Sequence, residues 1–192
     1  MGNVTRRFWL YDLLAEGTRS LTLGAVAITI REARDDDAAG IVRLGQQNSA
    51  YYVRLSPEHF RLPDKEGLVE FIENDREWRE GPDTLALVAD DESAIAGYLE
   101  ASLQRPDETA RWQAQRDLSA VRLFINYVGT ADAYKRQGVA TKLVHAAEDW
   151  GRERGAAVAL CDTFIDSPMS VPFWEQQMGY KRRAVIFRKP LH

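Results

Sequence analysis

An apolar run from Val121 to Val128, a short turn, and an amphipathic helix beginning near Val139 constrain this chain more than any other feature. The run is rich in β-branched and aromatic residues and reads as a strand. Beyond the turn, Val139, Ala140, Leu143, Val144, Ala146, Ala147 and Trp150 recur at helical spacing. At about 100° per residue those positions fill one arc of roughly 160°. Thr141, Lys142, His145, Glu148, Asp149 and Arg152 fall on the other side.

The junction has a chemical use. A helix start leaves backbone N–H groups without partners and carries a partial positive charge. Gly138 lies at that start, where a residue without a side chain lets an anion approach the backbone, and Lys135 and Arg136 flank it. Two readings are open on spacing alone: a site for a pyrophosphate, or an ordinary helix start with solvated basic residues.

A length of 192 residues suits one domain, or one domain with an arm, and 45% hydrophobic residues suffice for a core. The net charge of −4 gives no general reason to bind nucleic acid or an acidic membrane, and neither partner is expected. The single cysteine, Cys161, excludes an internal disulfide framework and fits a reducing compartment. No apolar run is long enough to span a bilayer. Asp12 and Glu16 interrupt the apolar part of the first 24 residues, which therefore do not read as a signal peptide. The expected location is the cytoplasm.

In chain order, residues 1–23 form an arm carrying Phe8, Trp9, Leu10, Tyr11, Leu13 and Leu14. Either it packs as a short helix on the domain or on a second subunit, or it is a poorly ordered leader. Residues 24–192 read as one domain. Val26 to Arg31 alternates as a first strand. Asp35, Asp36 and Asp37 supply an N-cap and favourable charge for a helix through Ile41, Val42 and Leu44. A second helix carries Leu68, Val69, Phe71, Ile72 and Trp78. Thr84 to Ala89 and Ala94 to Leu103 form a hairpin, and Leu118 to Thr130 leads into the turn described above. Ala156 to Cys161 reads as a strand covered on both faces. Ser167 to Met178 holds a short helix with Pro172 in its first turn, ended by Gly179. Lys181 to Lys189 alternates and is expected to close the sheet.

Lys135-Arg136-Gln137-Gly138-Val139-Ala140 resembles the Q/R-x-x-G-x-G/A signature of the GNAT superfamily, the acetyl-CoA-dependent N-acetyltransferases. Lys135 stands where that signature usually has Arg or Gln. The resemblance runs from about Ala25 to the C-terminus. It implies an α/β fold with a mixed, mostly antiparallel sheet, splayed between its fourth and fifth strands, and helices on both faces. It implies acetyl-CoA as co-substrate, with no metal. The loop amides of Lys135, Arg136, Gln137, Gly138, Val139 and Ala140 would hold the pyrophosphate, and the backbone of Val128, Gly129 and Thr130 would hold the pantetheine arm. The region Asn48 to Pro63, with Tyr51, Tyr52, His59 and Phe60, borders the acceptor pocket in that family.

A second segment, Ser167-Pro168-Met169-Ser170-Val171-Pro172-Phe173-Trp174-Glu175-Gln176-Gln177-Met178-Gly179-Tyr180, resembles the family's N-x-x-A-x-x-F-Y-E-x-x-G-F stretch. Here the chain departs from the pattern. The family's usual Tyr, its general acid, falls on Trp174, and its usual Asn falls on Ser167. Indole N–H is a donor but not a usable acid. A thiol with a pKa near 8.5 can leave as thiolate, aided by the dipole at the helix start near Ser170, or Ser167, Ser170, Tyr127 or a water supplies the proton. Trp174 is assigned to the cofactor side of the cleft. Glu100 on the third strand, and Asp162 just past Cys161, are candidate bases; each reads equally as a surface carboxylate. His145 falls on a polar helix face and His59 in a loop, and Cys161 reads as inert packing. The implied activity is direct acyl transfer to a primary amine of a small molecule or peptide in a ternary complex. The alternative is a catalytically weak acyl-CoA-binding or regulatory module. Both monomer and homodimer are open.

Overall fold

The hairpin of β2 (Thr84–Asp90) and β3 (Ile95–Gln104) is the centre of the molecule, and most residues of both strands are buried. The computed structural model describes residues 28–189 except 65 and 75, together with 191, so the expected N-terminal arm lies outside the described residues. β1 (Thr29–Glu32) pairs with β2, and β4 (Arg122–Thr130) pairs with β3, all antiparallel. β5 (Val158–Cys161) joins β4 in parallel, giving one five-stranded sheet in sequence order. A parallel neighbour needs a crossover; α4 (Val139–Glu153) supplies it. The remaining helices are α1 (Ala38–Leu55), α2 (Leu68–Asn74), the single turn α3 (Arg76–Arg79) and α5 (Ser170–Pro172), which runs on as a π-turn over Phe173–Gln177.

Two glycines show how closely helices lie against both faces. A Cβ at Gly97 would sit 2.7 Å from Val139 and 2.9 Å from Leu143, so α4 rests directly on β3. A Cβ at Gly129 would sit 2.3 Å from Asn48 and 2.8 Å from Leu44, so α1 rests directly on β4. Gly97 and Gly129 face opposite ways, since Gly129 pairs with Tyr98, the residue after Gly97. Helices therefore cover both faces, as the resemblance implied.

β4 and β5 pair only from Arg122–Val158 to Ile125–Cys161. β4 then continues to Thr130 with β3 on one side and, among the described residues, no strand on the other. This is the splay. A bulge marks its beginning: Glu100 pairs with Tyr127 and Ala101 with Ile125, leaving Asn126 as the extra residue. Bulges bend a strand and re-aim its side chains.

Three expectations need correction. Residues 181–189 form no strand; Val185, Ile186 and Phe187 are exposed, the last to 93%. Alternation specifies a strand only where one face is buried. Here the chain is held by side chains instead, with Arg182 donating to both carboxylate oxygens of Glu175 (2.5 and 3.0 Å) and Arg183 pairing with Asp117. β5 is half-buried rather than covered on both faces. Asp37 does not cap α1 with its side chain; its carboxylate turns back to the Arg34 N–H (2.8 Å) and the Arg31 guanidinium (2.8 Å).

Candidate active site

The turn after β4 carries the amides that the sequence singles out. The backbone passes through a 3₁₀ turn at Asp132–Tyr134, then alternates in φ: Arg136 at 60°, Gln137 negative, Gly138 at 76°. Alternating handedness aims successive N–H groups into one concavity, an anion-binding nest. The N-cap residue of α4 is Gly138, which has no side chain to cap the first amides, and Arg136, Gln137 and Gly138 are exposed. A Cβ at Gly138 would meet nothing within 4 Å, so the space on the Cβ side of that residue is open. Lys135 is turned to Asp132 and Gln137 donates to the Ala133 carbonyl (2.9 Å), both away from the α4 amides.

Asp91 in the β2–β3 turn holds this loop in place. It accepts the Tyr134 hydroxyl, together with the N–H groups of Ser93 (2.9 Å) and Ala94 (2.7 Å). The Tyr134 hydrogen bond, with those from Ser93 and Ala94, holds the Asp91 carboxyl at about 2 instead of the ordinary 3.8. A depressed carboxylate contributes stability above its unfolded pKa, lost as pH falls from about 4 through 2. Hydrogen bonds to charged groups contribute about 1.5–3 kcal/mol. Asp91→Asn is therefore expected to lower Tm by roughly 5 °C near neutral pH. The gap between variant and parent should close as pH approaches 2, as a pH series of melting curves would register.

The edge of β4 facing the splay presents two amides. Ala131 N–H donates to the Ala96 carbonyl (2.9 Å), on the β3 side. Strand alternation then turns the amides of Thr130 and Val128 to the opposite edge, where β5 has already ended. These are two of the three β4 residues that the resemblance nominated.

Across the gap, Ser167 and Ser170 are both buried. Ser167 Oγ accepts the Ser170 N–H (3.1 Å) where the short helix begins, and donates to Ser170 Oγ (3.0 Å). Ser170 Oγ also meets the Tyr52 hydroxyl at 2.9 Å. Burial drives the Tyr52 phenol well above its usual pKa, with the two serines only partly offsetting it, so it stays neutral. Trp174 is 3% exposed, set between Phe173 and Tyr180 with ring centroids 5.0 and 4.9 Å away. The π-turn, closed by Met178 N–H to the Phe173 carbonyl (3.0 Å), fixes it there. Cys161, its thiol pushed up to about 12 by burial and then by the charge of Asp162, stays protonated and is no nucleophile. His145 and Asp162 are exposed, and His59 shares its Nδ1 with Ser56 Oγ (2.7 Å) at the surface.

Sequence reasoning named Tyr52 only among the aromatics bordering the acceptor pocket, used Asn48 only as the start of that region, and did not single out Asn126. Leu44, Asn48 and Tyr52 form one i, i+4, i+8 row on α1, and that spacing was the available signal. Leu44 packs at Gly129, Asn48 donates to the Tyr127 hydroxyl (2.8 Å) and Tyr52 reaches Ser170. One helix thus contacts both arms of the splay.

Beside the splay lies a cavity of about 300 Å³ between α1, α2 and the face of β3 and β4. Glu100 and Tyr98 form its floor, with the Tyr98 hydroxyl donating to Glu100 Oε1 (2.8 Å) and Glu100 only 6% exposed. Asn126 and Tyr127, at the bulge, connect it to the gap. Gly45 of α1 also lines it, and a Cβ there would meet nothing within 4 Å. Glycine inside a helix costs about 1 kcal/mol relative to alanine. Gly40, on the same helix, has a packing reason, since a Cβ would fall 2.6 Å from Ile95. Gly45 has none.

A family model described as Acetyltransferase (GNAT) family matches residues 48–180, from the middle of α1 to just past the π-turn. The chain belongs to the GNAT acetyltransferase family. A mutant of the BH1408 protein from Bacillus halodurans has the same fold, with TM-score 0.73 at 17% identity over 85% of this chain and 99% of that one. An aminoglycoside 6'-N-acetyltransferase from Acinetobacter haemolyticus gives 0.58 at 17% identity over 85% and 99%. AAC(6')-Iy, solved with a CoA bisubstrate analogue, gives 0.58 at 18% identity over 86% and 99%. At these identities the likeness is one of fold. No curated protein sequence matches the chain. In this GNAT acetyltransferase, the nest at Arg136–Gly138 and the two splay amides lie along one edge, and Glu100 lies behind the bulge. Ser167, Ser170 and Trp174 are packed into the opposite arm.

Proposed function

We propose that the chain transfers the acetyl group of acetyl-CoA to a primary amine by direct attack in a ternary complex. The observation that carries this reading is the exposed turn at residues 136–138, alternating in φ, at the mouth of a gap that α1 holds open. The nest accepts the pyrophosphate, with the positive end of α4 behind it. The amides of Val128 and Thr130 line the path of the pantetheine arm and donate to the developing oxyanion. The amine nitrogen forms a bond to the thioester carbonyl carbon, and the carbon–sulfur bond breaks. The proton shed by nitrogen passes to Glu100, directly or through a water. Sulfur leaves as thiolate, since a thiol pKa near 8.5 needs little assistance, and takes its proton from solvent. Titration calorimetry with acetyl-CoA, followed by thiol release over a panel of amines, tests the reading; absence of acetyl-CoA binding sinks it.

Trp174 in place of an acidic tyrosine favours a second reading, a module that binds acyl-CoA without turning it over. The first reading holds that no side-chain acid is needed at this position. Trp174→Tyr should then leave kcat within about twofold while lowering Tm, because a smaller ring leaves a void beside Phe173 and Tyr180. A large gain in kcat would mean that the missing acid limits the native chain.

A further inference from the structure

We infer that Gln47 and Tyr134 are positioning residues for the cofactor: two struts, one from α1 and one to the β2–β3 turn, that hold the turn at residues 136–138 in its binding form before any anion arrives. That the anion is acetyl-CoA rests on the acyl-transfer reading above; the struts rest on contacts in the structure.

The turn needs holding. Arg136 sits at φ 60°, a region that a residue with a Cβ disfavours and that arginine has no special means to tolerate. Left to itself, this stretch relaxes toward ordinary backbone. The alternation in φ that turns its N–H groups into one concavity is then lost. A relaxed turn binds an anion only through the fraction of molecules that keep the right form. The apparent dissociation constant rises as that fraction falls.

Contacts at Ala131, Asp132 and Tyr134 oppose the relaxation. Ala131 N–H donates to the Ala96 carbonyl (2.9 Å), tying the start of the loop to β3. Asp132 opens the 3₁₀ turn, where an amide has no partner within the turn itself; its N–H donates to Gln47 Oε1 of α1 (3.0 Å). The Tyr134 hydroxyl donates to Asp91 Oδ2. Asp91 is itself a fixed point. Its Oδ1 accepts the N–H groups of Ser93 (2.9 Å) and Ala94 (2.7 Å) and the Ser93 hydroxyl (2.8 Å), all from its own turn. One oxygen thus anchors the carboxylate and the other reaches the loop. Beyond the nest, α4 is seated on β3 at Gly97. The left-handed residues Arg136 and Gly138 therefore lie between two held ends, and the short path between those ends keeps them there. An anion meeting this turn finds its amides already arranged, and little ordering is left to oppose binding.

The test uses the full chain, with acetyl-CoA and inorganic pyrophosphate as calorimetric probes. Gln47→Ala removes one strut at an exposed helical position, where alanine is the better helix former. Tm should stay equal or rise, while the dissociation constant for acetyl-CoA rises about threefold. Tyr134→Phe removes the other strut and keeps the ring. It should weaken acetyl-CoA about tenfold, or roughly 1.4 kcal/mol, and pyrophosphate by a similar factor. In the transfer assay the loss should fall on KM for acetyl-CoA with kcat within about twofold, because the struts act equally on ground and transition states. Rescue supplies the last readout. Asparagine tolerates the left-handed region better than arginine, so beside Arg136→Asn the substitution Tyr134→Phe should cost only about threefold. Unchanged affinity in both Gln47→Ala and Tyr134→Phe, whatever their Tm, would overturn the inference, as would an undiminished loss beside Arg136→Asn. Pyrophosphate binding that depends on both residues, without acetyl-CoA binding, would keep the struts and remove the transfer reading. Acetyl-CoA binding and turnover indifferent to both residues would keep the transfer reading and remove the struts. A parent chain that binds neither probe would remove both.

Discussion

Gly129→Ala is expected to destabilise the fold by about 3 kcal/mol, the upper part of the range for overpacking a core, and to lower Tm by roughly 6–12 °C. A single methyl group is enough because three neighbours converge on it. The added Cβ would lie 2.3 Å from Asn48 Nδ2, 2.4 Å from the Tyr127 hydroxyl and 2.8 Å from Leu44 Cδ2. The first two are partners in the buried Asn48–Tyr127 hydrogen bond. They cannot both retreat and stay bonded, and separating them leaves buried polar groups unsatisfied at about 1–3 kcal/mol. Relief by moving backbone would shift β4 away from α1. Thermal melts of the variant and of Gly45→Ala make the comparison, since the same added methyl at Gly45 meets nothing. Equal Tm for both would show that α1 and β4 are not in the close contact described.

The second large effect is on affinity. Gly138→Val should weaken acetyl-CoA binding about 100-fold, close to 2.7 kcal/mol. Two costs combine. A β-branched residue held at φ 76° is strained by about 1–3 kcal/mol, which favours a flip of the turn and disperses the nest. A side chain there also adds bulk at the N-cap of α4, where the added Cβ itself would meet no protein atom. The fold itself should lose only the strain, so Tm falls by a few degrees while titration with acetyl-CoA falls far more. Loss of Tm with affinity unchanged would reduce the turn to an ordinary helix start.

How much of this was legible follows from what each residue's signal depends on. The strand–turn–helix at Val121–Glu153 could be read because burial of one helix stripe and glycine at a left-handed position are local properties. Arg136 at φ 60° could not, since arginine carries no preference for that region and the loop imposes it. Glu100 was placed on the correct strand, but nothing local told the floor of a cavity from solvent; that depends on α2, far along the chain. Ser167 was compared with a catalytic-segment asparagine; its hydroxyl accepts the Ser170 N–H, a contact that its three-residue spacing from Ser170 could have suggested. The alternating residues 181–189 misled because period-two hydrophobicity has meaning only with a sheet edge to receive it.

The row Leu44, Asn48 and Tyr52 fastens one rigid helix to β4 on one side and to the Ser167–Ser170 turn on the other. The width of the wedge is thereby set before any guest arrives, and association need order few groups. Both guests would then sense the same strut. A substitution that tilts α1 should alter the Michaelis constants of thioester and amine together, and the size of that joint shift measures how far the two occupants communicate.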